Sequence, residues 1–169
     1  AQTYYYLVKA RKQAYSIIQN RDKHIKDRLL ELLDYGKEIQ KDLDTYDEGN
    51  DDIDFFEVFD NPEVINQEWE KVNAGKENKI SNEIYNEQIA MYFLFKYFLL
   101  AVYDYDVLSK IKMAVIGVLI VTYFGEESWV MHLWSKETEH SQYNMDRYKK
   151  LLKSANCLST KELEKRLNN

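Results

Sequence analysis

Apolar residues recur along most of the chain at helical spacing, three or four positions apart. This periodicity predicts helices over residues 3–20, 24–44, 82–100 and 107–124. In the second of these helices Gly36 lies on the apolar face, where the small residue lets another helix approach closely. The short link between the first two helices favours an antiparallel hairpin.

Two stretches are apolar on nearly every side of the predicted helix, residues 91–102 and 113–121. Lys96 interrupts the first stretch, and Asp104 and Asp106 lie between the two. Each run is shorter than the roughly 20 residues that a membrane-spanning helix needs. The pattern therefore predicts the two central helices of a bundle rather than a membrane span.

Capping signals mark the remaining helices. Asn61 and Pro62 are typical of a helix start, and Ser159 with Glu162 has the pattern of a capping box. A further amphipathic helix is predicted over residues 126–153. Together these elements predict an all-α fold, in which all 169 residues form a single domain of six or seven helices.

An irregular, acidic stretch follows the second predicted helix, at residues 45–60. Counted from Asp42, it lacks the glycine at the sixth position and the glutamate at the twelfth that a calcium-binding EF-hand loop uses. We therefore expect a solvated loop. Four apolar residues at its end are predicted to hold it against the body of the domain: Phe55, Phe56, Val58 and Phe59.

Composition and charge exclude several classes of function. The net charge is −6, which argues against a general nucleic-acid surface. Cys157 is the only cysteine, so an intrachain disulfide and a multi-cysteine metal site are excluded. A single thiol and the absence of a secretory signal in residues 1–15 predict a cytoplasmic protein.

One predicted helix face changes from apolar to polar along its length. Trp129 and Leu133 are followed on the same face by Glu137, His140 and Asn144. Polar groups that face a core need partners, so this face forms either a satisfied structural network or the lining of a cavity. The Glu-x-x-His spacing is half of the paired motif of di-iron bundles; without a second copy, we expect a structural pair and no metal site.

A second candidate is the connection between the two apolar helices, Tyr103-Asp104-Tyr105-Asp106. Asp106 has the position and residue type of an N-cap for the helix that begins at residue 107. The functional alternative is that both aspartates lie at the mouth of the bundle, as acids beside a site.

Several short segments resemble the flagellin lysine N-methylase family, in the same order along most of the chain. They are Ile17-Ile-Gln-Asn-Arg-Asp22, Arg28-Leu-Leu-Glu-Leu-Leu33, Tyr97-Phe-Leu-Leu-Ala-Val-Tyr-Asp104 and Ser135-Lys-Glu-Thr-Glu-His-Ser141. The resemblance implies a bacterial cytoplasmic protein that takes part in methylating lysines of flagellin with S-adenosylmethionine. Members of that family also carry an N-terminal cysteine cluster that is thought to hold an iron–sulfur or metal centre.

With Cys157 alone, this chain resembles only the C-terminal helical region of such a protein, and we expect it to be catalytically incomplete by itself. Acids suit a lysine ammonium, and tyrosines suit a methylated one. The candidate site residues are Glu137, Glu139, His140, Asp104 and Asp106. The alternatives are a non-catalytic interaction module, whose tyrosine-rich surface docks a partner or a second copy, and a helical ligand-binding or metal protein.

Overall fold

The computed structural model describes residues 1–58, 82–124 and 142–169, and within these ranges the chain is helical and contains no strand. The helices are α1 (Gln2–Ile18), α2 (Ile25–Leu43), α3 (Phe55–Val58), α4 (Glu83–Tyr97), α5 (Ala101–Asp104), α6 (Val107–Phe124), α7 (Gln142–Ser154) and α8 (Thr160–Asn168). Single 3₁₀ turns precede α5 and α8. The predicted all-α fold is confirmed.

Most predicted helix boundaries lie within two residues of the observed ones, and α6 has the bounds that were predicted. The exception is α4, which ends at Tyr97 because a 3₁₀ turn and the short α5 follow it. Tyr105 then adopts a left-handed conformation, with φ 54°, before α6 begins. The helix predicted after Pro62, and most of the one over residues 126–153, lie outside the described residues.

Helices α1 and α2 form the antiparallel hairpin that was predicted. Near one end Tyr6 donates a hydrogen bond to Asp42 at 3.0 Å. At the other end Arg28 is buried and donates to the carbonyl of Ile18 at 2.7 Å. Arg28 also pairs with Glu87 of α4 at 2.6 Å, which fixes the hairpin link to the third long helix.

Helix α6 is the centre of the bundle, and every residue from 107 to 121 is buried. It packs most extensively against α4 and also contacts α2, α7 and α8. Two glycines permit this packing. A Cβ at Gly117 would lie 2.4 Å from the ring of Phe93, and one at Gly36 would lie 2.8 Å from Ile111. The close approach predicted at Gly36 is thereby confirmed. No described helix is long and apolar enough to cross a membrane.

Residues 44–54 form a segment without helix or strand, which we call the strap. Its backbone is fixed to the end of α7: Gly49 N–H donates to the carbonyl of Lys153 at 2.7 Å, and Asp51 N–H donates to that of Ser154 at 3.0 Å. As predicted, the strap is largely exposed and none of its residues is fully buried; its backbone contacts with α7 were not predicted. Phe55 and Val58, which follow it, are buried as predicted; the side chain of Phe56 and all of Phe59 lie outside the described residues.

Candidate functional site between helices α6 and α7

The two aspartates singled out in the sequence lie at the start of α6. Asp106 accepts a hydrogen bond from the backbone N–H of Ser109 at 2.9 Å, so it is the N-cap that was predicted. Asp104 accepts from the backbone N–H of Asp106 at 3.0 Å. The left-handed Tyr105 between them turns the chain so that both carboxylates remain at the same end of the helix.

A third residue completes the cap of α6. The side-chain oxygen of Gln40 accepts from the backbone N–H groups of Val107 and Leu108 at 2.9 and 3.0 Å. Its amide nitrogen donates to the carbonyl of Tyr105 at 2.9 Å. A helix whose first turn is buried needs such partners for its free N–H groups. Local sequence patterns do not reveal this cap, because Gln40 is 67 residues away from Val107.

A cavity of about 230 Å³ opens beside these aspartates, and we call it the α6–α7 pocket. Its buried lining combines neutral side chains with the charged Asp106 and Lys110. Its exposed rim includes Asp104 of α5 and the lysines of α7. The described lining residues are Tyr97, Leu100, Asp104, Asp106, Ser109, Lys110, Met113, Lys149, Lys150, Leu152 and Lys153.

The pocket has a local excess of positive charge in a chain whose net charge is −6. Its described lining contains four lysines and two aspartates. Lys110 pairs with Asp104 at 2.5 Å, and Lys153 lies 3.7 Å from Asp106. The other two lysines on α7 are exposed and form no ion pair with a described residue. The pocket therefore favours an anionic ligand with an apolar part.

Behind the pocket lies a fully buried lysine, Lys112. Its ammonium lies 2.8 Å from the carboxylate of Glu48, donates to the carbonyl of Leu152 at 3.0 Å and sits 4.8 Å from the ring centre of Tyr46. Burial lowers the pKa of Lys112, and the nearby carboxylate opposes that shift. Because these contacts use its donors, the group holds the strap in place and does not reach the pocket.

Tyr46 links the strap to the wall of the pocket. Its hydroxyl lies 2.8 Å from the hydroxyl of Ser109 and donates to the carbonyl of Leu152 at 3.2 Å. Burial raises the pKa of Tyr46 far above the usual range for tyrosine. The phenol is therefore neutral at ordinary pH and is a structural hydrogen-bonding group, not a base.

The structure brings only part of the predicted site together. Asp104 and Asp106 line one pocket, whereas Glu137, Glu139 and His140 lie outside the described residues. The four lysines were not predicted as site residues, because Lys110 lies on α6 and the other three on α7. Their spacing gave a usable signal: positions 149, 150 and 153 share one side of a helix.

A metal or iron–sulfur centre does not fit the described residues. Among them, no group of three histidine, cysteine, aspartate or glutamate side chains is placed to hold a metal ion. The chain's single thiol, Cys157, is half-buried, and burial raises its pKa. One thiol cannot hold the cluster that the family resemblance implies.

A second, wider depression of about 620 Å³ lies between α2 and the strap, and we call it the strap groove. It is more open and more polar than the α6–α7 pocket. Its described lining residues are Lys37, Gln40, Lys41, Asp44, Thr45, Tyr46, Asp47, Glu48, Leu108 and Thr160.

Comparison with known proteins leaves the geometry of the chain as the basis for a functional assignment. No protein-family model matches the chain, and no curated protein or solved structure is significantly similar to it.

Proposed function

We propose that the chain is a non-catalytic helical interaction module, and that its α6–α7 pocket receives an acidic segment of a partner protein. The observation that carries this proposal is the position of Lys149 and Lys150. Both are exposed at the rim of a cavity with a buried floor, and neither is neutralised by a described acid.

The shape of the pocket supports an anchored peptide. Met113 and Leu152 are buried at the floor, and about 230 Å³ is enough space for one apolar side chain. Interfaces draw most of their affinity from a few such buried anchors, while charged rims set orientation and association rate. The expected ligand is an apolar residue, preferably aromatic, with aspartate or glutamate on either side.

The same geometry argues against acid–base catalysis by the described residues. Lys110 neutralises Asp104, and Asp106 is engaged as the cap of α6. A general base needs an available lone pair within reach of the substrate proton. Binding therefore accounts for the pocket better than chemistry does.

Fluorescence anisotropy with a labelled acidic peptide that contains one phenylalanine tests the proposal. We expect saturable binding that weakens as salt is raised, and no binding of the matched peptide in which lysine replaces each acid. The paired change Lys149→Glu and Lys150→Glu should weaken binding by about tenfold or more, because it reverses two rim charges.

Lys161→Glu is the matched control, since this lysine is exposed on α8, away from the pocket. It should leave the affinity within about twofold of the wild type, a change of ~0.4 kcal/mol. An equal loss in the control would mean that net charge alone drives binding. That result, or no binding by the wild type, would refute the proposal.

The resemblance to flagellin lysine N-methylases supports a second candidate function, as the helical part of such an enzyme. The favouring observation is that the half-exposed carboxylate of Asp104 lies between two exposed tyrosines, Tyr103 and Tyr105. Calorimetric titration with S-adenosylmethionine tests it. Heat of binding to the chain would favour the methylase assignment, and no heat would mean that this region does not hold the methyl donor alone.

A further inference from the structure

The strap contains a short stretch outside any helix, residues 45–48, whose backbone is largely unpaired. Residues 45–48 make no backbone–backbone hydrogen bond with any described residue. The neighbouring positions are fixed on both sides: Asp44 N–H donates to the carbonyl of Gln40, and Gly49 N–H to that of Lys153. The N–H of Thr45 is taken by the side chain of Asp44 at 2.8 Å. The carbonyl of Thr45 and the backbone groups of Tyr46, Asp47 and Glu48 have no hydrogen-bond partner among the described residues.

Its side chains alternate as they do in a β-strand. Tyr46 and Glu48 are partly buried and contact Ser109 and Lys112 of α6, whereas Thr45 and Asp47 are exposed. An extended chain with this alternation presents its N–H and C=O groups sideways, between the two sets of side chains. An unpaired edge of this kind is a template for an added strand.

The charged residues that line the strap groove favour a basic ligand. Lys37 is already paired with Glu164 at 3.0 Å, and Lys112 lies against Glu48. Among the described lining residues this leaves Lys41 against two exposed aspartates, Asp44 and Asp47. The remaining charge is negative, so the strap of a second copy would be repelled and a basic segment would be attracted.

We infer that the strap groove binds an extended peptide with lysine or arginine at alternate positions, added as a strand along residues 45–48. Backbone hydrogen bonds to the strap would supply affinity, and Asp44 and Asp47 would select for basic side chains. Leu108 provides an apolar contact at the base of the groove. This surface is distinct from the lysine-rimmed pocket and takes a ligand of the opposite charge.

Nuclear magnetic resonance titration of the full chain tests the inference directly. The probe is a ten-residue peptide of alternating lysine and valine, used up to about 1 mM, where even weak peptide binding is detected. We expect the amide signals of Tyr46, Asp47 and Glu48 to shift and to exchange more slowly with solvent. A matched peptide N-methylated at alternate residues has lost the backbone donors on one edge and should bind at least about tenfold more weakly.

Two variants and the N-methylated peptide distinguish binding as an added strand from binding by charge alone. Asp47→Lys should weaken the lysine–valine peptide by about tenfold or more, whereas Asp22→Lys, an exposed change outside the groove, should have less than about a twofold effect. Equal affinity for the N-methylated peptide would overturn the added-strand inference, as would the absence of shifts at residues 45–48. Lys149→Glu should leave this affinity unchanged, which keeps the test independent of the pocket.

Discussion

The buried ammonium of Lys112 lies 2.8 Å from the carboxylate of Glu48, and this contact joins α6 to the strap. Glu48 also accepts the backbone N–H of Thr160 at 3.0 Å, so one carboxylate ties the strap to the start of α8 as well. The two partners differ in environment: the lysine side chain is 0% exposed and the glutamate side chain is 25% exposed.

This difference in exposure predicts an asymmetric response to mutation. Glu48→Leu leaves a fully buried ammonium without its counter-ion and should lower the free energy of unfolding by about 3–5 kcal/mol. Lys112→Met leaves a carboxylate that water can still reach, so the loss should be smaller, about 1–2 kcal/mol. Urea denaturation at neutral pH measures both.

The double variant provides the control for this prediction. Glu48→Leu combined with Lys112→Met removes both charges, so its stability should fall below that of Lys112→Met only by the lost acceptor of the Thr160 N–H, and stay well above the sum of the two losses. Additive losses, or a greater loss for Lys112→Met than for Glu48→Leu, would contradict the proposed cause.

The sequence predicted the helices well because their apolar faces repeat locally, as in α2 and α6. It did not predict the strap, because Tyr46 and Glu48 stand among exposed acids and their partners lie more than 60 residues away. The α6–α7 pocket was predicted only through Asp104 and Asp106. Its lysines lie on two helices whose relative position follows from packing, and a local pattern carries no information about that packing.

Gly117 lies on α6, and Gly36 of α2 packs against it. We expect substitution by alanine to destabilise the chain more at Gly117 than at Gly36. A Cβ at this position would meet the ring of Phe93 at 2.4 Å, and a rigid ring in a filled core has little room to move. Gly117→Ala should destabilise the chain by about 1–3 kcal/mol. Gly36→Ala should cost less, because its nearest atom, at 2.8 Å, is the flexible end of Ile111.

Thermal unfolding of the two glycine variants measures this order. Combining Gly117→Ala with Phe93→Leu should recover part of the loss, since a smaller and more flexible side chain relieves the overlap. A Gly117→Ala variant as stable as the wild type would show that α4 and α6 separate at little cost.

The cap supplied by Gln40 should be measurable in the stability of α6. Gln40→Ala leaves the buried N–H groups of Val107 and Leu108 without their acceptor, and we expect a loss of about 1–3 kcal/mol. Gln88→Ala on α4 is the control, since Gln88 is exposed and the change should stay within about 0.5 kcal/mol. Chemical denaturation compares the two, and equal losses would argue against the cap.

Stability should fall as pH rises above 10, because several tyrosines, among them Tyr6, Tyr46 and Tyr148, resist ionisation in the folded chain. Burial and the neighbouring Asp42 raise the pKa of Tyr6 to about 12, and burial raises the pKa of Tyr46 and Tyr148 well above the ordinary 10. Above pH 10 the unfolded chain loses tyrosine protons that the folded chain keeps. The unfolded state then binds fewer protons, so the free energy of unfolding decreases by up to ~1.4 kcal/mol per pH unit for each of Tyr46 and Tyr148, and by less for the more exposed Tyr6, whose ionisation water screens.

Lys112 changes the pH dependence of stability in the opposite direction, over a lower pH range. Its pKa is lowered by burial, so between that value and the ordinary 10.5 the unfolded chain binds a proton that the folded chain does not, and stability rises with pH. The increase in stability from Lys112 ends near pH 10.5. The decrease in stability caused by tyrosine ionisation in the unfolded chain continues above that pH. Urea midpoints between pH 9 and 11.5 should therefore decline mainly at the upper end. Tyr46→Phe should reduce that decline and Lys112→Met should remove the rise; an unchanged profile in both variants would refute these assignments.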